Sequence, residues 1–345
     1  MTIAENKVLM PHIANLGTIH VDHTQNSCYY SLLVIPSSTE RPFTNWVPHH
    51  SAKYLRFNSM TMLKILVLAI VQGAAELLPI SSSAHVIVAE KLLGLDPTSP
   101  EMTLLLVMLH TGTMFAVIFF FWRSWKAAFF SSRQAIWHSI KLITAATFLT
   151  GIIGLLLKYF IEKIILKDVP LAEIEFLFGN MMVISAALAA VGLMIIFAGW
   201  KSRRTSENVT LGLMESCLIG AIQGICLPFR GFSRSGATIS AGLLLGIAKQ
   251  RVDEFSFALA VVLTPPIIVR EVLRLLKAHH ASSANITNMV NLFYPSLLGM
   301  VLSFVSGILA LKWLSNWLER GRWYLFGIYC LCAATVVFLL SRSGL

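Results

Sequence analysis

The feature that most constrains this chain is a polar stretch embedded in apolar sequence. Residues 72–85, QGAAELLPISSSAH, interrupt a long apolar region with an amide, a carboxylate, three hydroxyls and an imidazole. A carboxylate in an apolar helix loses its hydration, so an ionisable residue at membrane depth is by default a candidate for function. We therefore expect Glu76 to mark a functional site.

A second polar stretch repeats the first. Residues 223–236, QGICLPFRGFSRSG, follow at an offset of 151 residues, which lays Gln72 on Gln223 and Ser82 on Ser233. The first copy contributes a carboxylate and an imidazole, and the second contributes guanidinium groups. The repeat predicts that the two stretches meet in the folded chain.

The composition indicates a membrane protein. Hydrophobic residues make up 56% of the chain and charged residues 13%, and the mean hydropathy is +0.72. These values lie outside the range of soluble domains. The net charge of +10 does not indicate a nucleic-acid partner, because the cations lie mostly in short loops between apolar runs. Membrane lipids are the expected surroundings.

Hydropathy predicts the same order of segments twice, namely two short apolar helices and then three full-length ones. About 20 residues are needed to span a bilayer, and each short pair is joined by a polar turn. The predicted short segments are 63–78 with 83–95 and 211–229 with 235–248; the predicted spans are 104–122, 140–160, 176–200, 255–276, 290–314 and 324–340.

This pattern predicts an all-α polytopic membrane protein with inverted-topology repeats, six full transmembrane helices and two re-entrant helix pairs. Three crossings separate the two pairs, so the second pair would enter from the opposite face. We place repeat one at about 62–200 and repeat two at about 208–341, within a membrane domain of residues 60–345. Residues 1–59 lack long apolar runs, and we expect them to be a disordered extension or an upstream start.

The cations of the loops predict the orientation. One side carries most of them, in the loops near Arg123, Lys201, Lys249 and Arg320, whereas the other side mixes few cations with acids. The positive-inside rule places the cation-rich side in the cytoplasm. The first re-entrant pair would then enter from the outer face.

The spacing of polar residues suggests a site for an anion. Gln72 and Glu76 share a helix face, as do Ser82 and His85. Arg234 in hydrocarbon needs an anion, and its planar fork suits phosphate oxygens. Two alternatives without a ligand stay open here. In the first, the serines serve only as caps of a broken helix; in the second, Arg234 serves only as the ion-pair partner of Glu76.

The two stretches resemble family motifs. QGAAELLPISSSAH is similar to (E/Q)GxxExLPxSSxGH, and GFSRSGAT is similar to PGxSRSxxT, the marks of the undecaprenyl-diphosphate phosphatase family, the bacitracin-resistance proteins. The resemblance covers about residues 62–340. It implies hydrolysis of undecaprenyl diphosphate to the monophosphate, which recycles the lipid carrier of cell-wall synthesis.

The resemblance also implies roles for individual residues. Ser82 would be the nucleophile, His85 its acid/base partner, and Glu76 a second acid/base or a metal ligand, with Arg234 holding the diphosphate. The residues expected to bind substrate beside them are Gln72, Ser81, Gln223, Arg230, Ser233, Ser235 and Thr238.

Three departures from the motifs bear on these roles. Gln72 stands where Glu is common, which removes a carboxylate from any divalent-metal site. Arg230 replaces a usual Pro, and Ala84 replaces a usual Gly. A divalent cation, Mg²⁺ or Ca²⁺, at Glu76 is the expected cofactor, and no organic cofactor is implied.

The resemblance implies a multi-pass protein of the bacterial inner membrane, and the distribution of loop cations predicts a site that opens to the outer, periplasmic face. The expected partner is a polyprenyl diphosphate lipid, and bacitracin would act on that lipid rather than on the protein. A homo-oligomer stays open.

Two other classes of function compete with this phosphatase. A vanadium-peroxidase-like lipid phosphatase needs a His nucleophile downstream of its S-R element, and no His follows Arg234 until His279. The stronger rival is a transporter or flippase for a phosphorylated polyprenyl lipid, because inverted repeats with broken helices are typical of transporters. For His110, helix packing and a substrate role are about equally supported.

Overall fold

The computed structural model describes residues 62–95, 100–165, 180–202, 209–281 and 286–342, and nearly all of them are helical. The extension predicted at residues 1–59 lies outside the described residues. A π-helical turn, Ile161–Ile165, directly follows the α-helix Arg133–Phe160. The α-helices in the described part of the chain are α1 (Met62–Leu77), α2 (Ser82–Leu92), α3 (Pro100–Phe129), α4 (Arg133–Phe160), α5 (Met181–Ser202), α6 (Leu213–Cys226), α7 (Arg234–Leu244), α8 (Lys249–Ala281), α9 (Ile286–Glu319) and α10 (Tyr324–Arg342).

Six of these helices are long and apolar enough to cross a membrane, which confirms the predicted all-α polytopic fold with six spanning helices. The candidate spans are Met102–Phe129, Arg133–Ile164, Met181–Ser202, Lys249–Leu273, Phe293–Glu319 and Tyr324–Arg342.

The four remaining helices are too short to span a bilayer. Helices α1, α2, α6 and α7 contain 16, 11, 14 and 11 residues. At a rise of 1.5 Å per residue the longest is about 24 Å, against a hydrocarbon core of about 30 Å. The predicted short pairs therefore form as helices, and their re-entry stays a prediction.

The two halves pack into each other reciprocally. The first helix of each half packs on the fourth helix of the other, α1 on α9 and α6 on α4. Helix α5 also packs on α10, and α3 on α8. Each polar turn is therefore held by helices from both halves.

Two glycines in equivalent positions allow this close packing. A Cβ on Gly73 would lie 2.6 Å from the carbonyl oxygen of Ser303 on α9, and one on Gly224 would lie 2.8 Å from that of Thr150 on α4. Small residues let membrane helices approach closely. The Gln-Gly dipeptide of each repeat thus sets the distance between its short helix and the opposite half.

Candidate active site

The turn between α1 and α2 has unusual backbone geometry. Ser81 is the only non-glycine residue with a positive φ, at 68°, among the residues that the structure describes. Such a conformation costs about 1–3 kcal/mol and persists only where its surroundings impose it. The carbonyl oxygen of Ser81 lies 2.8 Å from Nδ1 of His85. This strained residue precedes Ser82, the first residue of α2.

Glu76 lies at the centre of the site. Its Oε2 accepts hydrogen bonds from Oγ of Ser82 at 2.5 Å and from Nε2 of Gln72 at 3.2 Å. Its Oε1 accepts from Nη2 of Arg234 at 3.0 Å. A carboxylate, a hydroxyl and a guanidinium from both polar stretches therefore meet at one point.

The second turn is built around the N-terminus of α7. Oγ of Ser233 caps this helix by accepting from the backbone N–H of Gly236 at 3.2 Å. Gly231, at φ 105°, passes so close to α5 that a Cβ would lie 2.5 Å from the carbonyl oxygen of Ile184. Oγ of Ser235 donates to the carbonyl oxygen of Leu78 at 3.2 Å, which joins the two turns directly.

Arg234 has hydrogen-bonding capacity to spare. Its Nη2 binds Glu76, but its Nη1 is buried and has no hydrogen-bond partner among the described residues. A buried donor without a partner costs about 1–3 kcal/mol, so it calls for an explanation such as a bound ligand, ion or water. A guanidinium presented in this way suits a phosphate oxygen.

A cavity of about 220 Å³ connects these groups. Its polar lining includes Glu76, His110 and two guanidinium groups, together with a set of serine hydroxyls. Its apolar lining comes largely from α8 and from the two phenylalanines of the second turn. The hydroxyl lining is Ser81, Ser82, Ser83, Ser233 and Ser235; the guanidinium groups are those of Arg230 and Arg234; the apolar lining includes Phe229, Phe232, Leu263, Ile267 and Ile268. A cationic pocket with an apolar wall suits an anionic head group on a lipid tail.

Four residues singled out from the sequence, Gln72, His85, Gln223 and Thr238, do not line this cavity. His85 directs Nε2 at the hydroxyl of Tyr329, 2.7 Å away, and the two rings stack. Thr238 is buried, with Oγ1 2.6 Å from Oγ of Ser256. Gln223 is buried and donates to Oγ1 of Thr150 at 3.2 Å. Gln72 reaches the site only through its hydrogen bond to Glu76.

His110 and Tyr329 lie next to the site, although the sequence analysis did not predict either as a site residue. Nε2 of His110 lies 3.8 Å from Oε2 of Glu76, and His110 lines the cavity. The rule that indicated Glu76 applies equally to His110, because His110 is also an ionisable residue within an apolar helix. Tyr329 gave no such signal, because its partner His85 lies 244 residues away.

The residues around Glu76 do not form a metal site by themselves. Both carboxylate oxygens face N–H or O–H donors, and the other charged groups lining the cavity are cationic or imidazole. Within the described ranges, no group of three or more His, Cys, Asp and Glu side chains is placed to hold a metal ion. We therefore assign no step of the chemistry to a metal ion.

The fold and the site define a class: a polytopic all-α membrane protein with a hydroxyl, a carboxylate and a guanidinium at the junction of two broken helix pairs. The family model described as bacitracin resistance protein BacA matches residues 65–336, and the chain belongs to this family.

Two curated relatives show how far the similarity extends. The chain is 54% identical over 285 residues to undecaprenyl-diphosphatase 2 of Acinetobacter baylyi, a match that covers 82% of this chain and 99% of that protein. It is 32% identical over 280 residues to the undecaprenyl-diphosphatase of Rhodopirellula baltica. That match covers 81% of this chain and 98% of that protein.

Proposed function

We propose that this protein is a membrane phosphatase that hydrolyses undecaprenyl diphosphate to undecaprenyl phosphate and inorganic phosphate, and so recycles the lipid carrier of cell-wall synthesis. The observation that carries the proposal is the contact of Ser82 with Glu76 opposite Arg234. The names of the relatives support the substrate. Family membership favours this function over the transporter or flippase alternative.

The first chemical step is attack on the terminal phosphorus. Oγ of Ser82 forms a bond to that phosphorus while Glu76 accepts the hydroxyl proton across the 2.5 Å hydrogen bond. The bond from phosphorus to the bridging oxygen breaks, and undecaprenyl phosphate leaves with the electron pair. A phosphoserine at Ser82 results.

The second step regenerates the free hydroxyl of Ser82. Water attacks the phosphoserine, the bond from phosphorus to Oγ breaks, and inorganic phosphate leaves. Glu76, protonated in the first step, returns that proton to Oγ of Ser82 and accepts one from the attacking water, which it then releases to solvent. Over the two steps one water is consumed, one proton is released and the protein is unchanged.

Charge stabilisation comes from the second polar stretch. Negative charge spreads over the equatorial oxygens during phosphoryl transfer, and positioned donors supply most of the catalysis. The unpartnered Nη1 of Arg234 is the principal donor, with Arg230 also in the cavity lining. Ser81, Ser233 and Ser235 add hydroxyls around the phosphates.

His85 has a different place in this proposal from the one the resemblance implies. Both of its ring nitrogens lie within hydrogen-bond distance of other groups, the carbonyl oxygen of Ser81 and the hydroxyl of Tyr329. An acid/base role would require the ring to leave both. We assign His85 to holding the strained turn, and His110 to the electrostatic environment of Glu76.

Two further expectations belong to the proposal. The protein would lie in the bacterial inner membrane with its cavity open to the outer face, as the distribution of loop cations favours. A divalent cation would be carried by the diphosphate rather than by a protein site. Measuring phosphate release with a chelator, and again after adding Mg²⁺ or Ca²⁺ back, tests whether the reaction requires a divalent cation.

Phosphate release from undecaprenyl diphosphate by the purified protein tests the function. We expect release by the wild type and its loss in Glu76→Gln, which keeps the shape of the side chain but cannot take the serine proton. A matched Glu162→Gln variant, on the π-helical turn far along the sequence from the polar stretches, should retain it. Wild-type protein that moves the lipid between vesicle leaflets without releasing phosphate would instead select the transporter.

A further inference from the structure

A second cavity lies between α3 and α9, apart from the site at Glu76. It has a volume of about 720 Å³ and shares no lining residue with the active-site cavity. Its walls are aromatic and aliphatic, and Phe119 and Trp122 are 69% and 56% exposed. We call it the α3–α9 groove; its lining is Phe115, Ile118, Phe119, Phe120, Trp122, Arg123, Phe304, Ile308 and Lys312.

Two cations face this groove without a counter-ion. Arg123 comes from α3 and Lys312 from α9, and both side chains are exposed. Neither makes a hydrogen bond or an ion pair to any residue in the described ranges. Among the described residues, none that lines the groove is acidic. Its charge is therefore available to an anionic ligand.

The groove has a polar end and an apolar end. Arg123 and Lys312 both lie near the C-terminal ends of their spans, Met102–Phe129 and Phe293–Glu319. Tryptophan, here Trp122, is typical of the membrane–water interface. The groove residues eight positions earlier, Phe115 and Phe304, lie roughly 12 Å farther along each helix. The cations thus sit at head-group depth and the aromatic walls run toward the bilayer centre.

We propose that the α3–α9 groove binds an anionic phospholipid, with its phosphate at Arg123 and Lys312 and an acyl chain along Phe119 and Phe304. A guanidinium fork and an ammonium both suit phosphate oxygens. Basic pockets between transmembrane helices bind anionic head groups. A zwitterionic head group fits less well, because the groove offers no acid to its ammonium. The inference is independent of the chemistry at Glu76.

Native mass spectrometry of the purified full-length protein, titrated with phosphatidylglycerol in detergent, tests this inference. At about 1 kcal/mol per cation, Lys312→Gln should weaken binding roughly fivefold and Arg123→Gln with Lys312→Gln about thirtyfold. Lys126→Gln is the matched control, since Lys126 is exposed one turn farther along α3 and does not line the groove. It should change binding less than twofold.

A second variant tests the shape of the groove without touching its charge. Ile308→Trp should fill the groove and lower phosphatidylglycerol binding while both cations stay. The midpoint of thermal unfolding reports on folding in every variant. Phosphatidylethanolamine binding as tightly as phosphatidylglycerol, or unchanged binding in the double variant, would overturn the proposal. Tighter binding of undecaprenyl phosphate than of phosphatidylglycerol at this groove would also overturn it.

Discussion

The two terminal nitrogens of Arg234 have different surroundings. Nη2 binds Glu76, and Nη1 is buried with no hydrogen-bond partner among the residues that the structure describes. An ammonium group could replace one of these contacts but not both, because only the guanidinium is a planar fork. In the proposed mechanism this single residue would link substrate binding to the orientation of the base.

We expect Arg234→Lys to retain the charge and still lose activity. Loss of one positioned donor from a transition-state site costs about 10²–10³-fold in kcat. Phosphate release from undecaprenyl diphosphate is the measurement. Arg133→Lys, an exposed cation at the start of α4, is the control and should behave as wild type. Equal kcat in both variants would remove Arg234 from the chemistry.

Tyr329 acts on the site through His85. Its hydroxyl lies 2.7 Å from Nε2 of His85, whose other nitrogen lies 2.8 Å from the carbonyl oxygen of the strained Ser81. Tyr329→Phe removes only the hydroxyl and keeps the ring stacking. At about 1 kcal/mol for the hydrogen bond, kcat should fall roughly fivefold with little change in KM.

The separation of kcat from KM identifies this positioning role. A purely structural effect would lower the midpoint of thermal unfolding, whereas a lost substrate contact would raise KM. Tyr159→Phe, on the exposed face of α4, supplies the control. A rise in KM at constant kcat would show that Tyr329 binds substrate instead.

At the scale of single helices, the short helices depend on close contact with the opposite half. Gly73→Ala places a Cβ 2.6 Å from the carbonyl oxygen of Ser303, so the backbones of α1 and α9 must separate. Overpacking of this kind costs about 1–3 kcal/mol. The midpoint of thermal unfolding in detergent should fall.

Gly151→Ala is the matched control for that change. A Cβ on Gly151, in the middle of α4, meets no atom within 4 Å. Alanine favours a helix over glycine by about 1 kcal/mol, so this variant should be neutral or slightly more stable. Equal loss of stability in both variants would show that the contact between α1 and α9 does not limit stability.

The topology of the whole molecule is open to a direct test. If each short pair returns to its own side, Lys91→Cys in the last turn of α2 should label from outside the cell. Thr210→Cys and Arg251→Cys, which flank the second pair, should both label from inside. Single-cysteine labelling with an impermeant reagent, in a background without the native cysteines, measures this. Labelling of Thr210→Cys and Arg251→Cys from opposite sides would show that the second pair spans the membrane.

Much of this architecture was predictable because the constraints are local. Twenty apolar residues need no tertiary information to indicate a span, and the six spanning helices follow from that rule. The charged interruptions of the apolar sequence likewise indicated Glu76 and Arg234, and the family resemblance indicated Ser82; the structure brings the three together. Each of these residues is a polar exception in an apolar segment.

The direction of side chains was not predictable from spacing. Ser82 and His85 are three residues apart, yet Ser82 donates to Glu76 whereas His85 stacks on Tyr329. Thr238 likewise turns away from the cavity, into the core toward Ser256. Such choices depend on partners from distant parts of the chain.

The most direct measurement is phosphate release from undecaprenyl diphosphate by Ser82→Ala beside Ser83→Ala. Both hydroxyls line the same cavity, but only that of Ser82 donates to Glu76. We predict that Ser82→Ala abolishes release and that Ser83→Ala retains most of it. We also predict that label from the terminal phosphate can be trapped on Ser82 in the wild type. Sustained turnover by Ser82→Ala would contradict the account.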